Sequence, residues 1–544
     1  MAASDRKTAL VNLSTKHFDV LVIGAGMTGA GIAVDAAARG LSVALVEKMD
    51  IAAGTSSKSS KLVHGGLRYL QQREYRLVYE NLYERQRLLE NAPHLVSPLP
   101  FLIPLFGKNG IVSKTVARSY ATALWLYDLT GGLRIGQRHK RITKDEAATH
   151  LSSLRLDRLV AGFLYYDARG DDARVALALA RTAADHGATI ANYVQVDSMS
   201  LDAAGKVTGV IATPCGPNDE GASSLTIRAS VVVNAGGVWA DVIRDLEAAG
   251  QRPSLKPAKG VHVTVPAHRL PCDIAAVLPV VADRRSIFVV PWREVPYVYI
   301  GTTDTEYDGP LDDPKCTSED VAYLLDAVNL LTSADLTPQD VTGVWAGLRP
   351  LLLPDEGAKL KERTADLSRR HKVSVTRQGV VTITGGKWTT YRKMAEDTVD
   401  VVVEQLGRGG SCSTKHLRLH GATKNAPKPS EHLANRYGTD TPAVEALARP
   451  DDALLEDGLP YLAAELRYAA REEFAQNLSD VLARRLRLSI QDAYIASSIA
   501  PLAAQIVGEE LGWDAARQAE EVRVFRAEVN ADLIAAGLAK TETQ

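Results

Sequence analysis

Three glycines in the run Gly24-Ala25-Gly26-Met27-Thr28-Gly29 follow the apolar segment Phe18 to Ile23, and a single carboxylate, Glu47, closes the next apolar segment. This pattern suits a dinucleotide. Gly24 permits the tight turn, Gly26 lets backbone N–H groups approach a pyrophosphate at a helix N-terminus, and Gly29 lets helix and strand approach closely. Glu47 stands where it can accept hydrogen bonds from a ribose bearing a free 2′-hydroxyl, so FAD or NAD is expected rather than NADP. Just beyond it, Gly54 to Tyr69 offers the hydroxyls of Thr55, Ser56 and Ser60, the cation Lys61, then Leu62, His64 and the pair Gly65-Gly66. Small residues and hydroxyls allow close approach to a flat cofactor. On composition alone a solvated loop is the competing reading.

Positioning these groups requires a βαβ unit: strand Phe18 to Ile23, a helix through Ala38, and strand Leu41 to Val46. Two further apolar runs end in glycine turns, Val231 to Gly237 with Ala235 and Gly236, and Val380 to Gly386 with Gly385 and Gly386. The first leads into a helix from Trp239, the second into one beginning near Thr389. Each turn alone could be a loop, but three of them, far apart, predict one sheet assembled from distant segments with another domain inserted. A long ligand touched at several strand ends favours FAD over NAD. Between the turns, helical spacing at Glu74 to Asn91 and at Val116, Tyr120, Leu124 and Tyr127 alternates with β-type runs at Val261 to Val265, Ser286 to Trp292 and Tyr297 to Ile300. The last two are joined by a hairpin at Arg293 to Pro296.

The fold class expected is α/β, with a Rossmann-like FAD-binding domain of the amino-acid-oxidase type. It comprises segments 18–80, 155–260 and 340–405, with 81–154 and 261–339 as an interleaved α+β substrate domain. A Gly/Ser/Lys/Pro-rich linker at about 407–429 then leads to a helical domain, 430–544.

In the 544 residues, 63 Lys and Arg nearly balance 65 Asp and Glu, which gives no reason to expect nucleic acid as partner. Cys215, Cys272, Cys316 and Cys412 stand far apart, so a reduced, cytoplasmic chain without zinc or disulfide framework is expected. No apolar run reaches the roughly 20 residues that cross a bilayer, and Met1 to Lys16 lacks the apolar segment of a secretion signal. Asp304 to Gly309 resembles the start of a calcium loop, but Lys315 occupies the position of the bidentate glutamate, and no metal is expected.

Ile23 to Gly40, Ser59 to Leu70, and Gly385-Gly386-Lys387-Trp388-Thr389-Thr390-Tyr391-Arg392 together give a sequence that resembles the FAD-dependent glycerol-3-phosphate dehydrogenases. Supporting runs are Lys259 to His262, Gly301 to Asp304 and Gly347 to Pro350. Ala25 replaces a glycine common in that family, a departure the dinucleotide fold accommodates. The resemblance implies oxidation of sn-glycerol 3-phosphate to dihydroxyacetone phosphate, with FAD reduced and then reoxidised by a membrane quinone. Val196, Trp388 and Thr389 join the groups above as expected cofactor contacts. Arg68, Arg349, Arg363 and Lys387 are expected at the substrate phosphate and hydroxyl, because guanidinium groups suit phosphate oxygens. Arg363 stands in a charged run that reads equally well as surface, whereas Arg349 lies among apolar residues.

Removing a hydroxyl proton suits a base of pKa near 7, and His262 is chosen. It shares a strand face with Thr264, opposite Val261, Val263 and Val265. Arg349, a poor base, is assigned to charge stabilisation, and Lys387, beside a helix N-terminus, to stabilisation of the reduced cofactor. Tyr69 and Thr303 are candidates for orienting substrate. Arg484, Arg485 and Arg487, among apolar neighbours, offer either a lipid-facing surface or a packed helix; peripheral contact with the inner face of the membrane follows from the quinone. A homodimer is a further expectation that the residues themselves do not fix. An oxidase using oxygen and a non-catalytic flavin-binding protein are the alternative functions.

Overall fold

Strand His17–Ile23 buries six of its seven residues, as a central strand covered on both faces must. In the computed structural model, which describes residues 6–67, 69, 74–107, 114–280, 285–353, 370–428 and 431–539, it lies between Leu225–Asn234 and Val43–Val46, parallel to both. Val20 is opposite Val231 on one side and Val43 on the other. Val381–Gly385 extends the sheet in parallel beyond Leu225–Asn234, so the three glycine turns fall at the same end of adjacent strands. The helix Met27–Ala38 packs against Asp172–Asp185 and Tyr391–Leu406. Its approach to the last is close: a Cβ on Gly31 would lie 2.7 Å from the Tyr391 ring.

The second described sheet has ten strands and is largely antiparallel. Leu255–Pro266 pairs with Gly343–Leu352 and with Tyr297–Gly301. The alternation expected there holds: Val261, Val263 and Val265 enter the largest core cluster, and His262 faces the other way. The hairpin at Arg293 to Pro296 also forms, closed by the N–H of Trp292 on the carbonyl of Tyr297. Leu159–Gly170 and Gly343–Leu352, which fall inside segments 155–260 and 340–405, are hydrogen-bonded into this second sheet. The chain therefore passes between the sheets at more points than hydrophobic runs alone reveal.

The C-terminal region is helical at Ala463–Glu472, Ala493–Leu511 and Ala515–Ala535. The helical character expected over 430–544 is interrupted beyond Ala463–Glu472, and Arg487, just before the short helix Leu488–Gln491, adopts φ +70°. Arg484, Arg485 and Arg487 do not face lipid. Arg485 grips both oxygens of Asp50 at 2.7 and 2.8 Å, Arg484 donates to Asp50 at 2.6 Å, and Arg487 donates to Asp172 at 2.9 Å. Arg485 and Arg487 are 2% and 1% exposed. Buried carboxylates of the nucleotide domain draw these arginines inward, since a buried charge needs a partner. Segment 407–428 is docked rather than loose, with the N–H of Leu419 on the carbonyl of Asn91. Among the described residues, no helix is long and apolar enough to cross a membrane.

Candidate active site

The glycine turns open onto a cleft of about 660 Å³ between the two sheets. Gly24 adopts φ +103°, and a Cβ there would meet the carbonyl of Ala235 at 2.8 Å; one on Gly29 would lie 1.8 Å from the carbonyl of Gly24. These approaches leave the backbone at the helix N-terminus, with Gly26 as its cap, bare for a pyrophosphate. The Glu47 carboxylate accepts from the N–H of Ala25 at 2.8 Å and of Met49 at 3.0 Å. Burial pushes its carboxyl pKa up against the pull of those two donors. Ser56 Oγ accepts from the N–H of Met27 at 2.8 Å. The geometry fits an adenine dinucleotide, with Glu47 at the ribose and the Gly26-Met27-Thr28 backbone at the phosphates.

Met27, Thr28, Thr55, Ser56, Ser60, Leu62, His64, Gly66, Ala235, Gly385, Gly386, Trp388 and Thr389 line the cleft, together with Tyr69, His262, Arg349 and Lys387. Gly24, Ala25, Gly29, Glu47 and Gly236 frame the turns behind it. Four of the expected contacts are not among the residues lining the cleft. Lys61 is buried with Asp172 at 3.4 Å, and the N–H of Gly65 donates to the Tyr127 hydroxyl at 2.9 Å. Val196 sits in an antiparallel ladder opposite Ala212, and Trp239 donates to Asp312 at 2.8 Å beneath the ammonium of Lys48. Arg68 and Arg363 lie outside the described residues.

Strand Leu255–Pro266 carries the candidate base. His262 is 3% exposed, stacks on Trp345 with ring centroids 4.7 Å apart, and shares a hydrogen bond of 2.8 Å between Nε2 and Ser60 Oγ. Its Nδ1 is buried with no hydrogen-bond partner among the described residues. Burial, then the charges of Lys61 and Arg349, hold its pKa well below the usual value near 6.5. The ring is therefore neutral at physiological pH and has a lone pair to accept a proton.

Arg349 spans the mouth of the loop Gly301 to Asp304. Nη1 donates to the carbonyl of Lys259 at 3.1 Å and to Asp304 at 3.2 Å, and Nη2 donates to Thr302 Oγ1 at 3.1 Å and to the carbonyl of Thr303 at 3.0 Å. Thr303 is buried, and its hydroxyl accepts from the N–H of Val261 at 3.1 Å, so it fixes the loop instead of facing the cleft. Lys387 lies just past Gly385 and Gly386, whose φ values of +75° and +79° only glycine adopts without strain. Its Nζ stands 3.8 Å over the Tyr69 ring.

Sequence reasoning missed Trp345 and Asp304 as parts of this site. Trp345 is the cross-strand neighbour of His262, a relation that only the register reveals. Asp304 was visible as a neighbour of Thr303, and a charge set among apolar residues at Arg349 was the signal that a carboxylate lies nearby.

Residues 19–392 match the family model described as FAD dependent oxidoreductase, and residues 381–518 match the C-terminal domain of alpha-glycerophosphate oxidase. Glycerol-3-phosphate dehydrogenase 2 of Mycobacterium tuberculosis is 40% identical over 98% of this chain and 92% of its own length. The mitochondrial glycerol-3-phosphate dehydrogenase of Homo sapiens is 35% identical over 96% of this chain and 74% of its own length. The crystal structure of the glycerol-3-phosphate dehydrogenase from Bacillus halodurans complexed with FAD superposes with a TM-score of 0.78 at 30% identity, covering 99% of both chains. FAD is thus the cofactor of this fold. On its sequence, its fold and the geometry of its cleft, this chain belongs to the FAD-dependent glycerol-3-phosphate dehydrogenase family.

Proposed function

We propose that the protein oxidises sn-glycerol 3-phosphate to dihydroxyacetone phosphate and passes the electrons to a membrane quinone. The observation that carries this reading is a buried histidine in a cleft whose charged lining, among the described residues, is four cations against one carboxylate. Lys58, Arg285, Arg349 and Lys387 line it, against Asp304 as the one carboxylate among the described lining residues. Such a surface draws in a substrate whose phosphate carries about two negative charges. When bound, FAD supplies the acceptor for the hydride from C2. His262 takes the hydroxyl proton at Nε2, with the Ser60 hydroxyl holding the ring in orientation or handing the proton on. Trp345 and the apolar strand behind it exclude water and keep the imidazole neutral. Arg349 and Lys387 offset negative charge that builds on the substrate oxygen as the proton leaves. In the described arrangement all four terminal N–H groups of Arg349 have acceptors, so it acts mainly as a fixed charge.

The acceptor is open to a direct test. With a soluble quinone analogue present, peroxide yield per turnover should fall close to zero. Peroxide formed in proportion to substrate, whether or not quinone is added, would make the protein an oxidase.

Contact with the inner face of the membrane is supported by helix Lys114–Thr130. It buries Leu124 and Tyr127 yet leaves Trp125, Leu126 and Leu129 exposed, Leu129 by 70%. The guanidinium of Arg138 lies 5.4 Å from the Trp125 ring centre, and Tyr120 of the same helix lines the cleft. An apolar ridge edged with basic groups suits the interface of an anionic bilayer. The wild-type protein should float with anionic vesicles at low salt, and Leu129→Glu combined with Trp125→Glu should abolish this. Equal flotation of the two proteins would remove the ridge from the account.

A further inference from the structure

Behind the catalytic wall lies a second cavity, of about 80 Å³, bounded by strand Leu159–Gly170, the hairpin around Trp292 to Val295, and Arg436 of the C-terminal region. Two of its arginines lack a carboxylate. Arg169 donates from Nη1 to the carbonyl of Pro291 at 3.1 Å. Arg293 makes long bonds of 3.3 and 3.5 Å to the carbonyls of His94 and Pro427. Neither forms an ion pair among the described residues, and burial pulls the Arg169 pKa down to about 10. Four donors around this space, Nε of Arg169, Nε of Arg293, Nε1 of Trp292 and Nε of Arg436, are buried with no hydrogen-bond acceptor among the described residues.

The other charges facing the cavity are already engaged. Lys61 is paired with Asp172 at 3.4 Å, Arg174 with Glu473 at 2.6 Å, and Arg436 with Glu465 at 3.4 Å. Of the two wall carboxylates, Asp171 meets Arg487 at 3.5 Å and Glu294 meets His432 at 2.8 Å. What is left over is positive. A few waters fit a space of this size and could satisfy N–H groups, but water cancels no charge.

We propose that this cavity binds a compact oxyanion of the phosphate class, held by Arg169 and Arg293 with Trp292 as a neutral donor. Charge-assisted bonds from guanidinium groups are the strongest available for such an oxyanion. The site is distinct from the substrate cleft, and Lys61 connects the two. Its ammonium lines the cavity and stands 4.6 Å from the ring of Trp345, on which His262 stacks. Occupancy there would be felt at the base without blocking the substrate.

Calorimetric titration of the FAD-loaded full-length protein with inorganic phosphate tests this. Arg293→Gln should weaken the binding event by about tenfold or more, the scale of a lost charge-assisted hydrogen bond, with the KM for glycerol 3-phosphate unchanged. Arg349→Ala, altered in the substrate cleft, should retain it. In wild-type protein, phosphate should also protect Arg169 and Arg293 from phenylglyoxal, read by peptide mass, which decides the matter if the glutamine variant does not fold. Unaltered phosphate binding in Arg293→Gln, loss of all phosphate binding in Arg349→Ala, or no protection of either arginine would overturn the proposal.

Discussion

His262→Ala should slow anaerobic reduction of the bound flavin by glycerol 3-phosphate about 10²- to 10⁴-fold, the span associated with a positioned general base. FAD content should change little, because the imidazole touches Ser60 and Trp345 and none of the glycine corners. Stopped-flow absorbance separates this step from reoxidation. The pH dependence supplies a second readout. The folded pKa of His262 lies below its ordinary value, so the neutral, proton-accepting form persists as pH falls through 6.5, and the wild-type reduction rate should stay level there. It should decline only at lower pH, as the ring protonates. An acid limb centred near 6.5 would mean that binding of the phosphorylated substrate restores the histidine to its solution value. A His262→Ala variant reducing at the wild-type rate would assign the base elsewhere.

Arg349→Ala should lower kcat/KM by about 10²-fold, since hydrogen bonds to charged groups are worth roughly 1.5–3 kcal/mol each and the fixed charge acts inside a cleft shielded from water. Removing it also leaves Asp304 in the cleft without its 3.2 Å partner. That carboxylate would then repel the substrate phosphate, so the loss should appear in KM as well as in kcat. Arg349→Lys keeps the charge but cannot reach Lys259, Asp304, Thr302 and Thr303 together from a single ammonium, and should fall between the two. Steady-state kinetics of the pair distinguish a fixed charge from a loop brace. Lysine equivalent to alanine would make the bracing of Gly301 to Asp304 the dominant role.

The nucleotide half of the fold was legible because its signals are local. An apolar strand, a glycine turn and a carboxylate after the next strand lie within one βαβ unit, and Glu47 does meet the backbone of the turn. The alternation around His262 was readable for the same reason. What escaped was long-range. The stacking of Trp345 on His262 depends on antiparallel register between strands some eighty residues apart in sequence, and nothing in either strand alone specifies it. The partner of the Lys61 ammonium, Asp172, comes from a helix more than a hundred residues later, which its position in a polar segment does not reveal. The arginines at 484 to 487 present the same difficulty. A helix bearing basic and apolar residues looks alike whether it meets lipid or buried carboxylates, and Asp50 lies at the opposite end of the sequence.

The most direct measurement is the absorbance spectrum of the purified, FAD-loaded protein under anaerobic conditions before and after addition of one equivalent of sn-glycerol 3-phosphate. The flavin band should bleach by close to one equivalent per active site, with dihydroxyacetone phosphate formed in matching amount. A flavin band that stays unchanged with excess substrate, in protein shown to hold FAD, would contradict the proposed function.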